Sequence, residues 1–301
     1  MDYTRFTFRA AVDFVEVLVR LSRPTQGRWI KQRTGVTYAT PCSSQTGEPL
    51  EKRQHQTAVT TAFRIRIYDP ARFEDVVAAV YAIGMKFQLS ESPTVTALEV
   101  ALDAYRKDGD SVALAELAAL YVVRLKNLAA PFERRRVYRD GVGSAQAIPS
   151  TRQALVRYVL DGWQIGIGNP SDPESQHAYF KTTDHNGKPI TDTSKHRARL
   201  ETRQQGEALR DLRGIKTLES LRDFKFQNLS DRFYCRVISE DVTGLIRTIL
   251  DIRTQNLSEP PLVSKRRRTF AVGTRADREF NKIVVKQLQN LTKRWRLHSG
   301  P

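Results

Sequence analysis

The chain has 301 residues, 40% hydrophobic and 27% charged, which suits a folded protein with a sizeable core and excludes global disorder. Its 49 Lys and Arg against 33 Asp and Glu leave +16 and a pI near 10.1, a field that favours a polyanionic partner, nucleic acid first. There is no long uncharged apolar run and no signal-peptide pattern, and Cys42 and Cys235 stand too far apart in sequence to suggest a disulfide framework or a zinc site, so a cytoplasmic protein with no membrane partner is expected.

Taken in order, Asp13–Leu21 alternates, with Val15, Val17, Val19 and Leu21 on one face, and predicts a central strand. Arg28–Gln32 is expected to be a paired strand, and residues 34–56, rich in Thr, Ser, Gln and Gly, a loop. Ala62–Asp69 predicts a strand with Phe63, Ile65 and Ile67 inward and Arg64 and Arg66 outward. A helix should follow, capped by Asp69, with Pro70 at its first position, Gly84 just past its end and a stripe of Phe73, Val76, Val77 and Val80. Thr94–Tyr105 predicts a strand with Leu98, Val100 and Leu102 in the core and Glu99 and Asp103 opposite. At ~3.3 Å per residue those carboxylates stand roughly 13 Å apart, so only a bulge or a position near the strand end would let them share an ion. Ser111–Asn127 predicts a helix on Leu114, Leu117, Leu120, Tyr121 and Leu125.

Residues 129–150 break the pattern with Pro131, Arg134, Arg135, Arg136, Gly141, Gly143 and Pro149, and read as a basic bridge. Periodicity leaves Thr151–Leu160 open between strand and helix. The stretch from Gly162 to Arg203 is the most informative. Trp163–Ile167 is a short strand ending in Gly168-Asn169-Pro170; His177–Asp184 alternates, with His177, Tyr179 and Lys181 on one face; Asn186-Gly187 suits a tight hairpin turn. His196–Arg203 then strings Arg197, Arg199, Glu201 and Arg203 along a strand, making a basic sheet face with one tyrosine and one glutamate. Beyond it, Glu207–Phe226 predicts a helix interrupted at Gly214, Arg232–Ser239 a strand and Val242–Ile252 a short helix. The tail from Leu262 carries eleven Lys and Arg against two acids, including Lys265, Arg266, Arg267 and Arg268, with a helix over Ala276–Trp295. Two arrangements suit this tail: a free electrostatic arm, or a helix docked through Phe280, Ile283, Val284, Leu288 and Leu291.

The predicted fold is α+β: antiparallel sheets in two loosely similar halves, helices on one face, and a basic helical C-terminal tail. The divisions fall at 12–128 for the first half, 129–150 for the bridge, 151–257 for the second half and 258–301 for the tail.

In ordered motifs the chain resembles the replication initiation factor family, the tyrosine-dependent nickases of rolling-circle plasmids, phages and integrative elements. Leu98-Glu99-Val100-Ala101-Leu102-Asp103 stands where that family has an acidic strand, Trp163-Gln164-Ile165-Gly166 with Ser171 where it has a Gly-ended strand, and Tyr179-Phe180-Lys181-Thr182-Thr183-Asp184-His185 at its tyrosine motif. Arg199-Leu200-Glu201 closes the set. Ala97, Thr183 and His185 depart from the family's Arg, second Tyr and Lys, which leaves Tyr179 as the one nucleophile candidate. No His-hydrophobic-His pair occurs, unlike the other large class of rolling-circle nickases.

The resemblance implies in-line attack of the Tyr179 phenol on a phosphodiester, leaving a 5′-phosphotyrosine and a 3′ hydroxyl primer. Ionising a phenol of pKa about 10 at pH 7 costs roughly 4 kcal/mol, which Lys181 and Arg199 would offset in part. Glu99, Asp103 and Glu201 would ligate Mg2+ or Mn2+, since hard oxygen donors suit those ions. Arg64, Arg66, Arg134, Arg135, Arg136, Arg197, Arg203 and Lys265 to Arg268 would hold DNA at an origin hairpin or single strand. A host helicase and a second copy of the chain are the further expected partners, in a bacterial cytoplasm. A binding protein without catalysis, using the same basic sheet as a platform, fits the composition equally.

Overall fold

In this computed structural model the described residues are 1–124, 135–139, 152–169, 171–183, 187–238 and 274–297. They form, in chain order, β1 (Thr7–Gln26), α1 (Gly27–Thr34), β2 (Tyr38–Cys42), β3 (Val59–Tyr68), α2 (Phe73–Phe87), β4 (Thr94–Tyr105), α3 (Ser111–Arg124) and β5 (Arg135–Tyr138). There follow α4 (Arg152–Leu160), β6 (Gln164–Ile167), β7 (Glu174–Lys181), β8 (Arg197–Gln205), α5 (Leu218–Arg222), β9 (Arg236–Ile238), β10 (Thr274–Ala276) and α6 (Arg278–Trp295). Hydrogen-bonded neighbours in the main sheet run β2-β3-β1-β4-β8-β7-β6-β5, and β10 pairs with β9 in a second sheet. The pairs β1/β3, β2/β3, β5/β6 and β6/β7 are antiparallel, as the α+β expectation requires. The chain divides into two units: Met1–Ala10, Ala101–Thr202 and Gln227–Leu288 form one, and Ala11–Val100, Arg203–Phe226 and Gln289–Pro301 the other.

In the second of these units the alternation of β1 and β3 does what the sequence predicts. Val15, Val17, Val19, Phe63 and Ile65 are fully buried, and the register sets Val17 against Ile65 and Val19 against Phe63. Ile30, Val76, Val80 and Ile83 cover that face from α1 and α2. Trp295, also fully buried, packs edge-on against Phe73 and Phe226 and donates its indole N–H to the Leu221 carbonyl at 3.3 Å. Three expectations need correction here. Arg28–Gln32 is helical, not extended: Gly35 at φ 76° ends α1 with its N–H on the Lys31 carbonyl, and the Thr34 hydroxyl bonds back to Ile30. Residues 34–56 contain an edge strand, β2, paired to β3 along Tyr38 to Cys42. Helix α2 starts at Phe73, because the Asp75 carboxylate accepts the Ala71 and Arg72 amides; it runs through Gly84, and Val77 is exposed on it while Ile83 is buried.

The other unit packs α3 on β7 and α4 through Leu114, Leu117, Tyr121, Leu155, Val159 and Phe180, all buried. Residues 152–160, left open by periodicity, are helical. The tail helix is docked: Phe280 lies 5.4 Å from Tyr3 and 5.6 Å from Tyr121 by ring centroids, and Val284 is buried behind it. Asp277 caps this helix, accepting the Phe280 amide at 3.2 Å and the Tyr3 hydroxyl at 2.6 Å. Replacing Asp277 by Ala should cost about 2 kcal/mol in urea unfolding, the sum of a lost cap and a lost buried partner, and Asp277→Asn less than half of that. Equal losses in the two variants would contradict the capping role. Between Leu209 and Leu218 the predicted helix is broken at Gly214 (φ 71°) into a single π-type turn, Ala208–Leu212, and the short α5. The predicted helix over 242–252, the run Lys265 to Arg268, Arg134 and Leu125 lie outside the described residues. No helix among the described residues is long and apolar enough to cross a membrane.

Candidate functional site

Strands β4, β8 and β7 are neighbours in that order, and their period-two alternation decides which side chains meet. On β8, Ala198, Leu200 and Thr202 are buried on one face, so Arg197, Arg199, Glu201 and Arg203 take the other. On β7, Ala178 and Phe180 are in the core, which turns His177, Tyr179 and Lys181 to the opposite side. On β4, Glu99 and Asp103 face away from Leu98, Val100 and Leu102, and every one of these is buried.

The Tyr179 hydroxyl donates to Glu201 Oε1 at 2.7 Å, and Arg199 donates to the same oxygen at 3.2 Å. The other carboxylate oxygen, Oε2, lies 3.8 Å from His177 Nδ1. The His177 ring is itself edge-on to Tyr138, 5.7 Å away. Arg199 is bidentate to Asp103, at 2.6 and 2.8 Å, and Arg197 approaches Asp103 at 3.4 Å. Burial opposes charge on Glu201, but the His177 ring, the Arg199 guanidinium and the Tyr179 hydroxyl outweigh it and hold the carboxyl below its usual range. Burial likewise works against the Arg199 charge, and Asp103 reverses that effect and holds the guanidinium well above its ordinary value. Tyr179 is therefore a half-buried phenol hydrogen-bonded to a charged carboxylate, beside a fixed cation.

Glu99 is bonded to Arg203 at 2.7 Å, and Asp103 is taken up by Arg199, so the two carboxylates of β4 serve different arginines. His177 Nδ1 and Glu201 Oε2, 3.8 Å apart, are potential ligand atoms for a cation. A carboxylate and an imidazole suit a divalent ion, the imidazole favouring Mn2+ over Mg2+. Of the three carboxylates expected as ligands, Glu99 is bonded to Arg203 and Asp103 to Arg199, and the residue beside Glu201 is His177. Its signal in the sequence was only its place two residues before Tyr179.

Among the predicted DNA cations, the four whose side chains are described, Arg64, Arg66, Arg197 and Arg203, each have an acidic partner. Arg64 pairs with Glu48 at 2.9 Å and Arg66 with Glu16 at 2.7 Å; the Arg66 guanidinium also lies over the Phe14 ring. Arg203 pairs with Glu99 and stacks over Phe14 at 5.0 Å. Arg135 and Arg136 open β5, with side chains outside the described residues. Lys181 ends β7 two residues past Tyr179. After it, Thr183 bridges to Pro189 and Gly187 takes φ 74°, which fits a hairpin; Asn186 lies outside the described residues.

No family model and no curated protein matches the sequence. Among solved structures, a rolling circle replication initiator protein from Geobacillus stearothermophilus aligns over 94% of this chain and 97% of its own, at 10% identity and a TM-score of 0.34. A likeness at that score carries no weight for family or function.

Proposed function

We propose that this chain is a replication initiator that nicks one DNA strand through Tyr179, in the rolling-circle manner. The observation that carries the reading is the 2.7 Å hydrogen bond from the Tyr179 hydroxyl to Glu201, a buried carboxylate kept charged by Arg199 and His177. Attack forms a bond from the phenol oxygen to phosphorus and breaks the bond from phosphorus to the 3′ oxygen. The phenol proton passes to Glu201, and the leaving 3′ oxygen takes a proton from solvent, which yields a 5′-phosphotyrosine and a 3′ hydroxyl. Arg199 offsets the charge that develops on the phenol oxygen, and Asp103 positions Arg199. His177 and Glu201 would hold a divalent ion, which when bound polarises a phosphoryl oxygen.

The test is conversion of supercoiled origin-bearing DNA to open circles, with and without Mg2+ or Mn2+. Nicked circles are expected only with the ion. Tight binding that leaves the DNA supercoiled under every condition would contradict the reading and favour a binding platform. Glu201→Gln should slow nicking by about a hundredfold or more, as expected for loss of a positioned proton acceptor. It should also raise the ion concentration needed for half-maximal rate; an unchanged ion requirement would remove Glu201 from the ligand set.

A further inference from the structure

Helix α1 carries three cations and no acid in eight residues, and none of the chemistry above uses it. From Val17 to Gly47 the chain holds Arg20, Arg23, Arg28, Lys31 and Arg33 and no acidic residue. Arg23, Arg28, Lys31 and Arg33 are exposed, and none of the four has a side-chain ion pair among the described residues. Between them stands Trp29, 39% exposed, with the Arg28 and Arg33 guanidinium carbons 5.1 and 5.8 Å from its ring centroid. Only Gly27 and Ile30 of the helix are buried. Lys31 and Arg33 sit in the last turn, where cations stabilise a helix; Arg28 sits in the first, where a cation opposes the dipole and no acid balances it. Helix stability therefore explains two of these cations and works against the third. Core packing explains none of the indole's exposure.

We infer that α1 is a docking surface for an unpaired DNA strand, with the Trp29 ring stacking on a base and Arg23, Arg28, Lys31 and Arg33 taking the flanking phosphates. An aromatic face with adjacent guanidiniums is what a single strand requires, because its bases present open faces and its backbone a row of charges. A duplex keeps its base faces stacked and would engage the cations alone. A lipid surface fits less well: an interfacial helix buries several apolar side chains, and α1 exposes one. The surface is independent of the chemistry at Tyr179.

The test uses the full chain carrying Tyr179→Phe, a fluorescent oligothymidine of about 15 nucleotides, a duplex of the same length and vesicles rich in anionic lipid. Trp29→Ala should weaken oligothymidine binding roughly tenfold, within the range measured for loss of one stacked base, and leave duplex binding within about twofold. Trp29→Phe should recover most of the loss. Replacing Arg28, Lys31 and Arg33 by Gln should lower the log–log salt slope on the single strand by about 2, at ~0.7 per contact. Unaltered oligothymidine affinity in Trp29→Ala overturns the proposal, as does an equal loss on single strand and duplex, or vesicle binding that depends on Trp29 while oligothymidine binding does not. Because cleavage is never read, failure of the nicking function leaves these outcomes untouched.

Discussion

Replacing Tyr179 by Phe is expected to lower strand cleavage at least a thousandfold while DNA binding stays within a few fold. The change deletes one oxygen, the one that would attack phosphorus, and leaves the ring that fills the space between His177 and Lys181 on β7. A thousandfold corresponds to about 4 kcal/mol of barrier, at about 1.4 kcal/mol per factor of ten. His177 faces Glu201 Oε2 and Arg199 is committed to Asp103 and Glu201, so neither takes the phenol's place. The variant also loses the hydrogen bond to Glu201, a stability cost of about 1 kcal/mol that a nicking assay below the unfolding temperature does not register. Residual cleavage within tenfold of wild type would take Tyr179 out of the mechanism.

The second large effect falls on stability. Asp103→Ala is expected to cost 3–5 kcal/mol, order of magnitude, because it strips the bidentate partner from a guanidinium that is 3% exposed. Arg199 would keep Glu201 at 3.2 Å as an acidic partner, which bounds the loss from above. The pair itself is a weak source of net stability, since both charges give up water to form it. Replacing both, Asp103→Leu with Arg199→Met, should therefore unfold at a higher temperature than Asp103→Ala alone, although its cleavage should remain impaired. A double variant less stable than the single one would contradict this and show that Arg199 stabilises the strands even without Asp103.

Much of the site was legible in the sequence, because strand alternation is a strong constraint once one face is apolar. Ala198 and Leu200 send Arg199 and Glu201 to one side; Ala178 and Phe180 do the same for His177 and Tyr179. What alternation does not carry is strand order. The sequence therefore put Asp103 with Glu99 as a ligand, whereas the neighbouring β8 brings Arg199 to Asp103 and His177 on β7 to Glu201. The roughly 13 Å expected between Glu99 and Asp103 already argued against a shared ion, and each has its own arginine. Helix α1 departs from the predicted strand for a related reason. Arg-Trp-Ile-Lys-Gln is short, with one apolar residue to bury, so periodicity had little to weigh, and the helix cap at Gly35 decided the outcome. Helix α2 shows a third failure: Asp69 and Pro70 look like a start signal, but Asp75 reaches back to the Ala71 and Arg72 amides and sets the first turn three residues later.

The most direct measurement is mass spectrometry of the protein after reaction with origin DNA, followed by nuclease trimming and proteolysis. The expected product is a nucleotide joined through its 5′ phosphate to the peptide that contains Tyr179, with none in the Tyr179→Phe variant. A nicked product with a free 5′ phosphate and no modified peptide, or an adduct on another tyrosine, would contradict it.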